Sequence, residues 1–390
     1  MLNKVPRSLS PNINQHLKVL LDLQYLNVAT TGIKTYMMEL AKAARKYPHP
    51  EIEWIFTHEP EAQAADKTYK SANTKVQKLN YHLDYFRWKE FMLPDMVKKH
   101  KPDVVICLDF ISPAASLPCR RLTVIHDAFF WQMPKNYSKW WRKYFTSLIK
   151  KGLKEKTDIV TTSEYSRNSL LDILGDTFPI SVIHQAPKGL KAGADPTFLT
   201  KNNLKSKGYF LHIGTFDKRK NLPLLVKSYA EFLKKTDSEK KLVLAGGPGE
   251  SKQMNDYPAV ESLIKELGLE GKVILPGYIT DGEIKALYEG AFGYVFPSEN
   301  EGFGIPILEA FGFGVPVIHS DQQALMEVSG GAGLAFETGN SGDLTEKMVL
   351  LERETELRSR LIQLGKTRSL DFSAQKFIES FHQIILNTPQ

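Results

Sequence analysis

Short apolar runs alternate with amphipathic segments along nearly the whole chain, and the alternation restarts once. Lys18–Leu23 reads as a strand, followed by the turn Thr30-Thr31-Gly32 and a helix from Ile33 to about Lys46. Glu51–Thr57, Asp103–Leu108, Leu122–His126 and Asp158–Thr162 read as further strands, with helical stretches between them that include Asp84–His100. Residues 188–207, rich in Gly, Ala and an Asp-Pro pair, break the rhythm and read as a linker. The pattern then resumes: strand Tyr209–Ile213, helix Asn221–Lys234, strand Lys241–Ala245, helix Ala259–Leu267. Strands Lys272–Leu275, Gly293–Phe296, Pro316–His319 and Ala332–Phe336 follow, and a last amphipathic helix runs from about Ser373 to Leu386. Strands alternating with helices predict parallel sheets covered on both faces. The expected fold is α/β, with two doubly wound Rossmann-like domains (1–187 and 208–372) facing a cleft, and a terminal helical segment, 373–390. Ligands of such sheets bind at the carboxyl ends of the strands. The fingerprint Gly-x-Gly-x-x-Gly is absent after the first strand of either half, which argues against an oxidoreductase.

A length of 390 residues suits two domains, and 42% apolar with 24% charged residues is the balance of a globular protein. No run of about 18 apolar residues occurs, so no membrane-spanning helix is expected. Met1–Gln15 is polar, contains Pro6 and Pro11, and reads as a loose leader. Cys107 and Cys119 lack metal-ligand spacing and read as free thiols in a reducing compartment, which points to the cytoplasm. Charge changes this picture. Residues 1–190 carry 28 Lys+Arg against 18 Asp+Glu, a balance of +10, and the remainder carries −3. The first half is thus suited to an anionic partner: nucleic acid, an anionic membrane or a diphosphate lipid. Residues 135–156 concentrate the effect, with eight Lys/Arg and Trp140, Trp141, Tyr144 and Phe145 among them. Two readings stay open there, a helix lying on an anionic membrane and an ordinary docked helix with its aromatic face in the core.

The densest candidate chemistry lies at 297–310, Pro-Ser-Glu-Asn-Glu-Gly-Phe-Gly-Ile-Pro-Ile-Leu-Glu-Ala. It follows the strand Gly293–Phe296. Gly302 and Gly304 permit a tight turn and close ligand approach, and Pro306 suits a helix's first turn. Glu301 falls on the turn and Glu309 about one helical turn further in. Free N–H groups at the helix start, with Phe303 and Ile305 beside them, suit an anion or a polar ligand. Glu301 can accept from sugar hydroxyls and Glu309 from a diol such as ribose; the plain alternative is an ordinary strand-to-helix corner. Residues 213–221, Ile-Gly-Thr-Phe-Asp-Lys-Arg-Lys-Asn, set Lys218, Arg219 and Lys220 before a helix, an arrangement suited to a diphosphate, or else a solvated basic turn. His126-Asp127 ends a strand. Here a histidine can be structural, donating to a neighbouring carbonyl, and Asp127 is expected to orient a loop. Gly246 ends another strand, and Gly277-Tyr278-Ile279 leads into the helix Asp281–Tyr288.

These segments resemble the retaining glycosyltransferases of family 4, whose donor is a nucleotide-activated sugar. Residues 297–310 resemble that family's Glu-x7-Glu motif, and Gly214 to Asn221 its Gly-x-x-x-x-Arg-Lys-Asn, whose Lys binds donor phosphate. Many members carry Arg directly after the Gly, where this chain has Thr215, leaving Arg219 as the stand-in. Thr161-Thr-Ser-Glu-Tyr-Ser-Arg also matches. Gly32 falls where the family's backbone approaches donor or acceptor, but Gly-Ile-Lys-Thr-Tyr replaces the usual Gly-Ile-Gly-Arg-Tyr. The resemblance is strongest over 209–337 and looser over 18–185.

It implies a GT-B fold whose last helix crosses back to the first domain. It implies transfer of a sugar from a nucleoside diphosphate sugar to a hydroxyl of a cell-surface glycan or its lipid-linked precursor, by front-face substitution. His126, Lys220 and Glu301 are the expected catalytic set. Gly32, Thr215, Arg219, Lys220, Gly246, Gly277, Tyr278, Ile279, Gly302, Phe303, Gly304, Ile305 and Glu309 are the expected donor-binding set. No Asp-x-Asp pair is present, so no metal or other cofactor is expected, and protein cations would face the diphosphate. Rivals are a nucleotide-sugar epimerase, a glycan phosphorylase (for which no pyridoxal-binding Lys context is found) and a non-catalytic nucleotide-sugar binder. A nucleic-acid partner is not expected, since no recognised motif accompanies the charge.

Overall fold

Two sheets of six strands form the frame, and every strand pairing in them is parallel. The computed structural model describes residues 16–66, 75–154, 156–190, 193–249 and 253–387; the leader expected at Met1–Gln15 lies outside them. The first sheet runs β2 (Ile52–Phe56), β1 (Leu17–Asp22), β3 (Val104–Cys107), β4 (Arg120–Val124), β5 (Thr157–Thr161), β6 (Ile180–Val182). The second runs β12 (Leu334–Phe336), β11 (Val317–Ser320), β10 (Gly293–Phe296), β7 (Tyr209–Ile213), β8 (Lys241–Ala245), β9 (Val273–Gly277). In each sheet the first strand lies inside, with later strands added on both sides of it. The chain therefore reverses direction beside β1 in one sheet and beside β7 in the other, and crevices open there at the carboxyl ends.

Side chains alternate across each strand, so both faces of both sheets carry core. Val19, Leu21, Ile106 and Val124 pack towards the helix Thr31–Lys46, whereas Leu20, Val105 and Cys107 pack the other way, towards Trp88, Leu93 and Val97. In the second sheet Phe210, Leu242 and Val295 face one layer, and Leu211, Val243 and Phe296 the other. The last helix, Ala374–Leu386, is capped by Ser373, whose hydroxyl accepts from Lys376 N. It buries Phe377, Ile378, Phe381 and Ile385 in the first domain's core, with Phe377 edge-on to Tyr36 at 5.1 Å. Four large apolar groups at roughly 1.5–3 kcal/mol each hold the chain's end across the first domain. Cys107 and Cys119 are buried free thiols. Among the described residues no helix is long and apolar enough to cross a membrane.

Three details near the cleft differ from the expected elements. The stretch expected as one helix over Asp84–His100 is Lys75–Arg87, a π-helical turn Trp88–Met92, and Leu93–His100. Pro94 has no N–H to give to the preceding turn, and the wider turn before it rotates Lys89 inwards. There Lys89 Nζ lies 2.7 Å from Asp22 and 2.6 Å from Asp109, all three buried. Tyr85 and the Trp88 indole complete this cluster, donating to Asp109 and Asp22. β4 ends at Val124 and β5 at Thr161, each before its expected end, so His126 and Thr162 belong to the loops that enter the cleft.

Candidate functional site

β7 and β10 are neighbours at the second sheet's crevice, so Gly214–Asn221 and Pro297–Gly304 emerge side by side. The backbone crowds tightly here. A Cβ on Gly246 would stand 1.9 Å from the Gly214 carbonyl oxygen, and Gly246 has φ +140, so only glycine fits. Residues Lys218–Lys220 make one 3-10 turn, and Asn221 turns the chain at φ +49 into the helix Leu222–Lys235. The two loops are tied together: Glu299 N donates to the Arg219 carbonyl (2.8 Å), and Asn221 Nδ2 donates to Glu299 (2.8 Å).

This geometry brings the three strongest candidates into one cluster. Lys220 Nζ is 2.7 Å from Glu301 Oε1, and Arg219 Nη1 is 2.6 Å from Oε2. Lys220 also lies over the Phe296 ring at 4.5 Å, and Arg219 Nη1 reaches the Asn300 carbonyl at 3.2 Å. Burial opposes the charge on Glu301, but Arg219 and Lys220 outweigh it and hold its carboxyl at about 2. Burial together with the neighbouring guanidinium pulls the Lys220 ammonium below its ordinary value, although Glu301 works in the opposite direction. Two cations thus share one carboxylate, and Asp217 and Asp127 act on Arg219 from further off. Underneath, His212 is wholly buried, its Nδ1 donating to Val295 O, and burial beside Lys220 lowers its ring to about 3.

Glu309 sits on the helix Ile305–Gly312, which begins with Pro306 in its first turn and Gly304 at φ +130 before it. Tyr288 Oη donates to Glu309 Oε2 at 3.0 Å. Burial raises the Glu309 carboxyl to about 7, against the opposing pull of the Tyr288 bond and Lys188. Lys188 itself pairs with Asp281 at 2.5 Å. Ile279 is buried, whereas Tyr278 is 90% exposed, after Gly277 at φ +75. Thr215 donates to Asp217 at 2.8 Å. Phe303 is buried beside His184 and Phe372. Gly32, in the first turn of the helix Thr31–Lys46, is exposed with open space where a Cβ would be.

The first domain supplies the opposite wall. His126 Nε2 donates to the Leu108 carbonyl (2.9 Å), and its ring packs edge-on to Tyr36 at 4.7 Å. Burial lowers the ring to about 4, so it is neutral. The main chain beside it is what meets Glu301's loop: a Cβ on Gly302 would stand 3.0 Å from His126 O and 3.0 Å from Asp127 Cβ. Asp127 accepts from Phe129 N at 3.1 Å, and Phe129 lies 5.4 Å below the Arg219 guanidinium. Burial raises Asp127 to about 6. Among the described residues no group of three or more His, Cys, Asp or Glu could hold a metal ion.

A second surface flanks this wall. The basic segment forms the helix Lys139–Gly152, capped by Ser138. Trp141 and Phe145 stack at 4.9 Å and pack with Leu148 against a core that includes Phe130 and Ile149. The helix is therefore docked, yet Trp140 is 82% exposed and Tyr144 is exposed beside it. Lys143, Lys150, Lys151 and Lys154 line a depression of about 460 Å³, and Leu83, Phe86, Trp141 and Tyr144 line an apolar one of about 420 Å³.

Several partners here went unread in the sequence. Phe129 and Tyr288 carry no motif. The trio Asp22–Lys89–Asp109 offered one signal, a lysine set between Trp88 and Phe91 in an otherwise apolar helix face.

Comparison with known proteins follows the same division of the chain. Residues 30–186 match the family described as Glycosyltransferase Family 4, and residues 196–368 match Glycosyl transferases group 1. O-antigen chain mannosyltransferase B of Escherichia coli is 28% identical over 261 residues, 65% of this chain and 67% of that protein. O-antigen chain mannosyltransferase RfbU of Salmonella typhimurium is 28% identical over 206 residues, 52% of this chain and 53% of that one. The alignments thus span from about half to two thirds of these relatives' own lengths. Among solved structures, sucrose-phosphate synthase from Thermosynechococcus elongatus superposes with TM-score 0.72 at 18% identity, covering 95% of this chain and 98% of that one. WaaG, a glycosyltransferase involved in lipopolysaccharide biosynthesis, gives 0.65 at 14% identity, covering 95% and 100%. The architecture they share with this chain is the GT-B fold.

The Glu301 carboxyl lies below its ordinary 4.5 in the folded state, so the stability it contributes is present above pH 4.5 and fades as the pH falls towards 2. Glu301→Gln should therefore lower the melting temperature at pH 7, and the gap to wild type should narrow on acidification. A gap independent of pH would mean that the carboxylate charge does not hold the cluster.

Proposed function

The chain belongs to the family 4 glycosyltransferases, and on that premise we propose that it moves a sugar from a nucleoside diphosphate sugar to a hydroxyl with retention at the anomeric carbon. The acceptor is a growing cell-surface glycan or its lipid-linked precursor, and the mannosyltransferase names of the aligned relatives support a hexosyl donor. The observation that carries this reading is the Arg219–Glu301–Lys220 cluster at the carboxyl ends of β7 and β10.

In this reading the donor diphosphate lies on Lys220 and Arg219. As the bond from the anomeric carbon to the diphosphate oxygen lengthens, negative charge grows on the departing phosphate. Two cations already fixed in place stabilise it without reorganising, a contribution larger in a dry site than in water. The acceptor oxygen attacks the face that the phosphate is leaving, and its proton passes to the departing phosphate oxygen. Each Glu301 oxygen spends one lone pair on a cation and keeps another for a sugar hydroxyl. His126, with Nε2 committed to Leu108, meets the sugar as a neutral acceptor through Nδ1. Glu309 takes the ribose diol, Gly246, Gly302 and Gly304 let the loops around the donor pack tightly, and the main chain at Gly214 and Gly277 lets the donor lie close. Tyr278 and Ile279 border the base, Thr215 adds a polar contact, and Gly32 faces the ligand from the first domain.

Lys220→Ala should lower kcat by on the order of 100-fold or more with the fold intact. Near-wild-type turnover at saturating donor would remove Lys220 from the site, and binding of nucleoside diphosphate sugar without turnover on any hydroxyl acceptor would favour a non-catalytic binder. Glu309 is protonated below about 7, where it loses acceptor capacity. Nucleoside diphosphate should accordingly bind more weakly as the pH falls through 7, and Glu309→Gln should flatten that dependence in a calorimetric titration. A dependence unchanged in the variant would place the ribose elsewhere.

We propose further that the protein works at the cytoplasmic face of an anionic membrane. Exposed Trp140 and Tyr144 beside Lys143, Lys150 and Lys151 are the chemistry of an interfacial helix, aromatic groups at headgroup depth with cations above them. Each Lys near anionic lipid contributes roughly 1 kcal/mol, screened within a Debye length. Reversing Lys139, Lys143, Lys150 and Lys154 to Glu should abolish sedimentation with anionic vesicles while activity on a short water-soluble acceptor survives. Wild type that ignores such vesicles at low salt would overturn the membrane reading alone.

A further inference from the structure

The loop that carries Glu301 is gripped on both sides by a single first-domain helix. Ser163 Oγ donates to the Gly302 carbonyl at 2.7 Å, Ser166 Oγ reaches it at 3.1 Å and Thr162 Oγ1 at 3.2 Å. On the other side of Glu301, Tyr165 Oη donates to Asn300 Oδ1 at 3.2 Å. These four residues sit at the start of the helix Glu164–Leu174, which is the Thr161-Thr-Ser-Glu-Tyr-Ser-Arg segment of the sequence. Nearby, Glu327 of the second domain accepts from Glu164 N (3.0 Å) and Tyr165 N (3.3 Å), and pairs with His184 at 2.8 Å.

The hydroxyls are not fully explained by local capping. Ser163 is the helix N-cap and its oxygen accepts from Ser166 N at 3.1 Å, but capping uses only the acceptor side of a hydroxyl. Its proton goes across the cleft to Gly302. Thr162 and Ser166 share their protons between Gly302 O and His126 O. A side chain at Gly302 would crowd the His126 carbonyl and the Asp127 Cβ, each 3.0 Å from where its Cβ would stand. The first domain thus reads the position of the Glu301 loop through its backbone.

We infer that Thr162, Ser163 and Ser166 are positioning residues: by binding the Gly302 carbonyl they couple the approach of the two domains to the placing of Glu301 against the donor sugar. The inference rests on the reading of Glu301 as a contact of that sugar. Glu301 is held from its own domain by two cations and from the other domain through its neighbours on either side. When the domains part, the Asn300 side chain and the Gly302 carbonyl lose these partners, so the segment on either side of Glu301 loses its outer support while Arg219, Lys220 and Gln322 still hold it from within.

Ser163→Asp tests this directly, because aspartate keeps the capping acceptor, has no proton to give, and sets an anion against the carbonyl. Ser163→Thr retains both functions and serves as the conservative control. Ser163→Asp should melt within a few degrees of wild type and bind nucleoside diphosphate within about twofold of it. Its kcat should fall at least about tenfold, and its radius of gyration by X-ray scattering should exceed that of wild type. Ser166→Ala should show a smaller loss of the same kind, and Ser163→Thr should behave as wild type. The inference is overturned if Ser163→Asp keeps wild-type kcat and radius, if Ser163→Thr is as slow as Ser163→Asp, or if kcat and nucleotide binding fall together with the melting temperature. Wild type that turns over no nucleoside diphosphate sugar would instead remove the functional reading, while the difference in radius would still decide whether these hydroxyls hold the domains together.

Discussion

Arg219 and Lys220 are adjacent cations held in a site from which water is largely excluded, and a single carboxylate, Glu301, keeps them there. Without Glu301 the pair would repel each other at a separation where the interior screens poorly. With it, both side chains are fixed, and Asp217 and Asp127 add negative charge around the guanidinium. Taking one partner from a buried ionic group is strongly destabilising, whereas an incoming anion adds a counter-charge to a place already desolvated. In the proposed reading that anion is the donor's diphosphate. The surrounding features serve this cluster. Gly214 and Gly246 let two strands' loops meet, Phe296 floors the lysine, and Phe129 reaches over from the first domain to the guanidinium.

The two sheets treat the same topological position in opposite ways. Beside β7 the crevice holds two cations around one carboxylate. Beside β1 it holds one cation between two carboxylates, with Lys89 bound by Asp22 and Asp109 and both further bonded to Trp88 and Tyr85. That second cluster is closed and saturated by hydrogen bonds, so it fixes the π-helical turn against the sheet. Its role is structural: it anchors the helices that carry Leu83 and Phe86 towards the exposed surface beside the basic helix.

Features that depend on neighbouring residues are legible in the chain alone. β7, β8 and β10 fall where their apolar runs put them, and the Gly-rich turn before Pro306 declares a strand-to-helix corner through local backbone chemistry. What joins distant segments is not legible. Nothing local says that Glu301 meets Lys220 across 81 positions, or that Ser163 meets Gly302 across 139. The direction of the His126 ring was open for the same reason, because Leu108 O, which receives its proton, lies on another strand's end. β6 went unread because three half-buried residues, Ile-Ser-Val, make an edge strand too short for a period to show. The helices Glu164–Leu174, Ser341–Arg353 and Thr355–Ser369 went unread as well, their polar faces blurring the apolar stripe.

The central claim is that Lys220 and Arg219, fixed by Glu301, receive the donor's diphosphate. A crystal structure with nucleoside diphosphate bound tests it most directly. The account predicts phosphate oxygens within hydrogen-bond distance of Lys220 Nζ and the Arg219 guanidinium, with the ribose hydroxyls on Glu309. A diphosphate bound away from both cations, with the Arg219–Glu301–Lys220 cluster undisturbed and closed beneath it, would contradict it.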